Sequence, residues 1–201
     1  MIKSVSNKQD DILKAILELN GLDSFDADLT YGNGMFYKNL PQPKFKFDIE
    51  PLGEDVIESC STDVPAVDEA FQSVVFDPPF MTYVRSGRHG NGSMVMAKRF
   101  GGYWRYDELA DHYNQTLAEC HRILVKSGVL VFKCQDIVHN HKLQPTHINV
   151  VNWSQDLFRL KDLFILGASH RMAVPQQKGT AKKKQKHARI HHSYFLVLEK
   201  N

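Results

Sequence analysis

The run Val74-Val75-Phe76-Asp77-Pro78-Pro79-Phe80 sets a carboxylate, two prolines and an aromatic ring at the end of an apolar stretch. An exocyclic amine on a nucleobase is a poor nucleophile, because its lone pair is delocalised into the ring. Chemistry there needs acceptors that hold both amino hydrogens and favour a more tetrahedral nitrogen. Asp77 supplies one acceptor. The Pro78 carbonyl can supply a second, held rigidly because Pro78 and Pro79 have fixed φ. Phe80 offers a face on which a base can stack. A rigid turn capping a hydrophobic cover is the plainer alternative, and a buried strand that delivers a carboxylate into the turn argues against it.

A second group is Asp28-Leu29-Thr30-Tyr31-Gly32-Asn33-Gly34. Glycines at a strand end let backbone approach a ligand and adopt dihedrals closed to other residues. In open α/β sheets ligands sit beyond the carboxyl ends of the strands, near the switch point. Asp48 closes the next strand, where a carboxylate can accept hydrogen bonds from a ribose diol. Asp63 lies in a loop that could meet an adenine amino group. Each acid taken alone also suits a solvated turn.

These residues need elements to position them. Asn7 to Asn20 carries Ile12, Leu13, Ile16, Leu17 and Leu19 at helical spacing and stops at Gly21. Short strands are expected at 24–31, at Lys44 to Ile49 and at Ser73 to Phe76, with a short helix from Gly53 to Ser59. Residues 81–106 read as a long Gly-rich substrate loop, and loops of that length in compact domains are usually functional or disordered. A long helix follows from Tyr106 to Val125, then a strand from Val129 to Cys134. A helix is expected at Leu157 to Leu160, and strands at Leu163 to Ala168 and Ser193 to Leu198. Alternating strands and helices predict an α/β domain with a mainly parallel sheet, and 1–201 reads as one domain. The last two strands have no convincing helix between them, so they read as a hairpin whose final strand is antiparallel.

Charge is uneven along the chain, although 25 Lys and Arg nearly balance 23 Asp and Glu. Between Asp77 and Asp107 there is no acid, while Arg85, Arg88, Lys98, Arg99 and Arg105 occur among Tyr83, Phe100, Tyr103 and Trp104. Between Asp162 and Glu199 there is again none, and a basic loop at 173–192 holds Lys178, Lys182, Lys183, Lys184, Lys186 and Arg189. Cations interleaved with aromatic rings suit phosphate neutralisation with base stacking. A loop leaving a parallel strand and the tip of the terminal hairpin emerge at the same sheet edge, so both basic segments should flank the Asp77 turn. A solvated lysine run is the alternative for the second. Three cysteines, Cys60, Cys120 and Cys134, share no metal-ligand spacing and argue against a disulfide framework. No metal is expected at His187, His191 and His192, which lack nearby cysteines or carboxylates. With no signal-like or membrane-length apolar run, a cytoplasmic location away from membranes is expected. A dinucleotide fingerprint would need a third glycine, which disfavours a nicotinamide oxidoreductase.

The Asp77 to Phe80 run resembles the Asp/Asn-Pro-Pro-Tyr/Phe signature of amino-methyltransferases that act on adenine N6 or cytosine N4. Asp28 to Gly34 resembles the cofactor motif of that family. Asp48 resembles its ribose-binding acid and Asp63 its adenine-side acid, and 113–136 is similar to the segment after the catalytic loop. The resemblance implies a Rossmann-like class I methyltransferase fold with about seven strands, S-adenosylmethionine as cofactor, and Asp28, Thr30, Tyr31, Gly32, Gly34, Asp48 and Asp63 around it. It implies transfer to a base flipped from the stack, adenine N6 in DNA first, with cytosine N4, an RNA base, or a catalytically silent nucleic-acid-binding protein as alternatives. Two departures stand out. Leu29-Thr30 replaces the proline and aromatic of many relatives, and no extra target-recognition domain is evident, so loops or a partner protein would supply specificity.

Overall fold

The computed structural model describes residues 1–82, 102–168 and 185–201. Arg85, Arg88, Lys98, Arg99, Lys182, Lys183 and Lys184 therefore lie outside the described residues. In chain order the elements are β1 (Val5–Ser6), α1 (Gln9–Asn20), β2 (Ala27–Asp28), a 3₁₀ turn (Met35–Tyr37), β3 (Phe45–Asp48), β4 (Ile57–Glu58) and β5 (Phe71–Phe76). They continue with α2 (Tyr106–Ile123), β6 (Leu124–Cys134), β7 (Ile137–His139), β8 (Lys142–Gln144), α3 (Thr146–Ser154), β9 (Phe158–Gly167) and β10 (His192–Lys200).

Eight strands form one sheet in the order β1-β9-β10-β6-β5-β2-β3-β4, and β7 and β8 pair separately. β10 runs antiparallel to both β6 and β9, while the remaining pairs in the large sheet are parallel. The expected antiparallel last strand is thus present. The eighth strand is β1, two residues matched to Ile165 and Leu166, too short to leave a periodic signal. Strand order reverses between β5 and β2, and there the chain enters its first crossovers, so a ligand crevice is expected at their carboxyl ends.

Period-2 alternation explains how β5 serves two layers. Val74 and Phe76 face α2 and α3 with Leu109, Tyr113, Leu117 and Val150, while Val75 faces α1 with Ile12, Leu13, Ile16 and Phe195. α1 ends at Gly21, whose φ of 62° suits glycine and directs its N–H to the Glu18 carbonyl. α2 begins where Glu108 Oε2 accepts the backbone N–H groups of Trp104 and Arg105.

Two expected helices are replaced. Within 53–59 the chain forms β4, where Ile57 and Glu58 extend the sheet beside Phe47 and Asp48; Pro51 and Gly53 leave too little chain for a stable helix, and pairing wins. The helix placed at Leu157 to Leu160 lies earlier, as α3 behind Pro145, and Phe158 already begins β9. Among the described residues no helix is long and apolar enough to cross a membrane.

Candidate active site

β2 and β5 are paired neighbours, with Asp28 beside Val75, so the two chemistry-bearing turns leave the sheet side by side. Thr30 joins them. Its hydroxyl donates to Asp28 Oδ1 at 3.2 Å and accepts the Asp77 backbone N–H at 2.8 Å, and its own N–H reaches Asp28 Oδ1 at 2.7 Å. The Tyr37 hydroxyl donates to Asp28 Oδ2 at 2.6 Å. Asp28 is 1% exposed, and burial, with a smaller push from Asp77, raises its pKa to about 7. Burial also raises Tyr37 well above the usual phenol range, keeping it a donor.

The two glycines of the turn differ. Gly32 has φ of 58° and no atom within 4 Å of where a Cβ would stand, so open space borders it. Gly34 has φ of 72°, and a Cβ there would lie 2.5 Å from the Tyr31 hydroxyl. Its missing side chain makes room for Tyr31, whose ring stacks on Tyr37 and whose hydroxyl donates to Gln42 Oε1 at 2.7 Å. Asp48 accepts the Gly32 N–H at 2.7 Å on one oxygen and the Glu50 N–H at 2.9 Å on the other. Each carboxylate oxygen has capacity for a second bond, which leaves Asp48 able to take a diol while it shapes the turn.

Asp63 is exposed on the loop after β4, fixed by its N–H on the Cys60 carbonyl. α2 holds that loop from below. Ser61 Oγ lies 2.9 Å from His112 Nε2 and 3.0 Å from Thr116, and Glu119 accepts the Val64 N–H at 2.8 Å. His112 is also bonded to the Tyr103 hydroxyl, and burial lowers its pKa. Tyr103 N–H donates to the Met81 carbonyl at 3.0 Å, tying the chain just beyond Phe80 to the approach to α2.

At the proline turn, Asp77 Oδ2 accepts from Lys133 Nζ at 2.9 Å, with the two side chains 21% and 12% exposed. Lys133 comes from the end of β6 and also donates to Gln9 Oε1 at 3.2 Å, while the rings of Phe36 and Phe195 flank its ammonium. Pro78 is buried. The Pro79 carbonyl accepts the Tyr113 hydroxyl at 3.0 Å, so α2 braces the turn. Phe80 borders a cavity of about 420 Å³ together with Gln9, Lys133, Gln135, Gly167 and His192. This cavity joins the carboxyl end of β6 to the end of β9 and the start of β10, the edge at which the basic segments were expected to meet.

Asp28, Thr30 and Asp77 are thus in one bonded cluster, with Gly32 and Asp48 beside it. Sequence reasoning left out Gln9 and Tyr37, which carry no local motif and are recognisable only through contacts across the fold. Lys186 and Arg189 are exposed on the segment leading into β10. Among the described residues no group of three or more His, Cys, Asp or Glu is placed to hold a metal ion.

No protein-family model matches the chain, and no curated protein matches it by sequence. Solved structures do. One, provisionally named a type 11 methyltransferase from Sulfolobus solfataricus, aligns with a TM-score of 0.50 at 12% identity, covering 97% of this chain and 94% of that one. The tRNA (m1A58) methyltransferase TrmI of Aquifex aeolicus gives 0.49 at 11%, over 99% and 71%. A protein of Thermus thermophilus, provisionally named a DNA modification methylase and crystallised with S-adenosyl-L-methionine, gives 0.45 at 20%, over 70% and 53%. This chain spans about half the length of that Thermus protein. The similarity to the Sulfolobus structure is one of fold, and the fold is the Rossmann-like one of methyltransferases.

Proposed function

We propose that this chain transfers a methyl group from S-adenosylmethionine to the exocyclic amino nitrogen of a nucleobase, adenine N6 in DNA. The observation that carries the reading is the placement of Asp77. Its backbone is tied through Thr30 to the Asp28 turn, and its carboxylate is bonded to Lys133, which borders a cavity together with Phe80.

The residues fit the cofactor. Gly32 leaves open space over the turn, Asp48 keeps acceptor capacity for the ribose, and Asp63 is exposed on the adjoining loop. Bound there, S-adenosylmethionine supplies an electrophilic methyl whose bonding pair stays with sulfur on transfer. The chain's own part is positioning. Asp77 and the Pro78 carbonyl accept the two amino hydrogens, Phe80 stacks the base, and Asp77 stabilises the positive charge that develops on nitrogen. The nitrogen then releases one proton, which the Asp77 carboxylate is placed to accept. A base inside a duplex cannot reach this turn, so it is flipped out. In this reading the cations of 81–106 and 173–192 neutralise the phosphates, and sequence choice rests with the loops or with a partner protein.

A paired measurement on Asp77→Ala tests this. Calorimetry should give a cofactor Kd within about threefold of wild type, because binding rests on other residues. Transfer from labelled cofactor to DNA should fall by at least about 10²-fold, the range expected for loss of a positioned proton acceptor. Unchanged turnover would remove Asp77 from the chemistry.

A further inference from the structure

We infer that Lys133 is a specificity-determining residue: with Asp77 it recognises an amino group that stands next to an unprotonated ring nitrogen. The inference rests on the amino-methylation reading and extends it to the neighbouring atom of the base. An ammonium has three donors and no acceptor. One goes to Asp77 Oδ2 at 2.9 Å and one to Gln9 Oε1 at 3.2 Å. Gln9 is fixed in that sense, because its amide nitrogen donates to the Phe36 carbonyl at 3.1 Å. The third donor remains, and Lys133 borders the same cavity as Phe80.

The rings of Phe36 and Phe195, with centroids 5.0 and 5.5 Å from Nζ, hold the ammonium in place and limit its access to water. Asp77 and Lys133 therefore present an acceptor beside a donor at a fixed separation. A base stacked on Phe80 with its amine on Asp77 meets Lys133 with the adjacent ring atom. Adenine offers N1 or N7 beside N6, and cytosine offers N3 beside N4. A ring position bearing hydrogen would face a donor with a donor and be rejected, as buried polar groups left unpaired are costly.

The test compares DNA oligonucleotides in which the target adenine is natural, 1-deaza or 7-deaza, each replacing one ring nitrogen by C–H. Wild type should lose about tenfold or more in kcat/KM, and in binding competition, on one of the two analogues and little on the other. Lys133→Met, which keeps an unbranched chain between the two rings, should treat natural DNA and that analogue alike. If the variant turns over too slowly, the binding competition reads the same discrimination. Equal handling of all three oligonucleotides by wild type, or discrimination that survives in Lys133→Met, would overturn the ring-nitrogen contact while methyl transfer stands. No transfer to natural DNA would remove the underlying reading and this inference with it.

Discussion

Asp28 is buried at the end of β2 with three hydrogen-bond donors around it and Asp77 nearby. Burial outweighs those donors and raises its pKa from 3.8 to about 7. The folded state therefore holds a proton that the unfolded chain releases near pH 4. Stability from this group is full below about pH 4, falls as pH rises towards 7, and is level above it, with a slope of at most about 1.4 kcal/mol per pH unit. Asp28→Asn removes the titration. Its stability relative to wild type, measured by urea unfolding at pH 5 and pH 8, should improve at the higher pH; an identical difference at both would refute the assignment. The same carboxyl fixes Thr30, and through it the backbone of Asp77.

Beyond the pairing of β2 with β5, the Thr30 hydroxyl links the Asp28 carboxyl to the Asp77 N–H. Thr30→Val deprives the Asp77 N–H of its acceptor and should cost about 1–3 kcal/mol. A displacement of about 1 Å in a reacting group can slow chemistry 10²-fold, so kcat should fall while Thr30→Ser stays near wild type. If Val and Ser behave alike in unfolding and in kcat, the strut is unimportant. Elements such as α1, β5, α2 and β10 were legible because each sustains its period over enough residues. β1 and β4 are two residues each and exist only through pairing, and α3 precedes the segment whose pattern suggests a helix, because Phe158 and Leu160 suit a helix or an edge of sheet equally well. The site divides in the same way. The Asp77 to Phe80 turn and the Asp28 to Gly34 turn are local in sequence and could be read there. The Gln9–Lys133 bond spans 124 residues, and Tyr37 reaches Asp28 only because the 3₁₀ turn folds back, so neither leaves a local trace. Gly34 is legible as a glycine the turn requires, and the structure adds a reason the sequence does not show, the Tyr31 hydroxyl 2.5 Å from where a Cβ would stand.

Across the molecule, the sheet edge that carries the Asp77 turn also carries the start of β10, with Lys186 and Arg189 exposed just before it. In sequence, Lys182, Lys183 and Lys184 immediately precede these two cations. Replacing those three lysines by alanine should weaken DNA binding and reduce the slope of log affinity against log salt by about one for each lysine that touches a phosphate. A slope equal to wild type would mark the run as merely solvated. The central claim, that Asp77 and its neighbouring carbonyl present a base amine to S-adenosylmethionine, is tested most directly by nucleoside mass spectrometry of DNA incubated with isotopically labelled cofactor. The account predicts labelled N6-methyladenine with wild type and none with Asp77→Ala. Label absent from every nucleoside, or present equally with the variant, would contradict it.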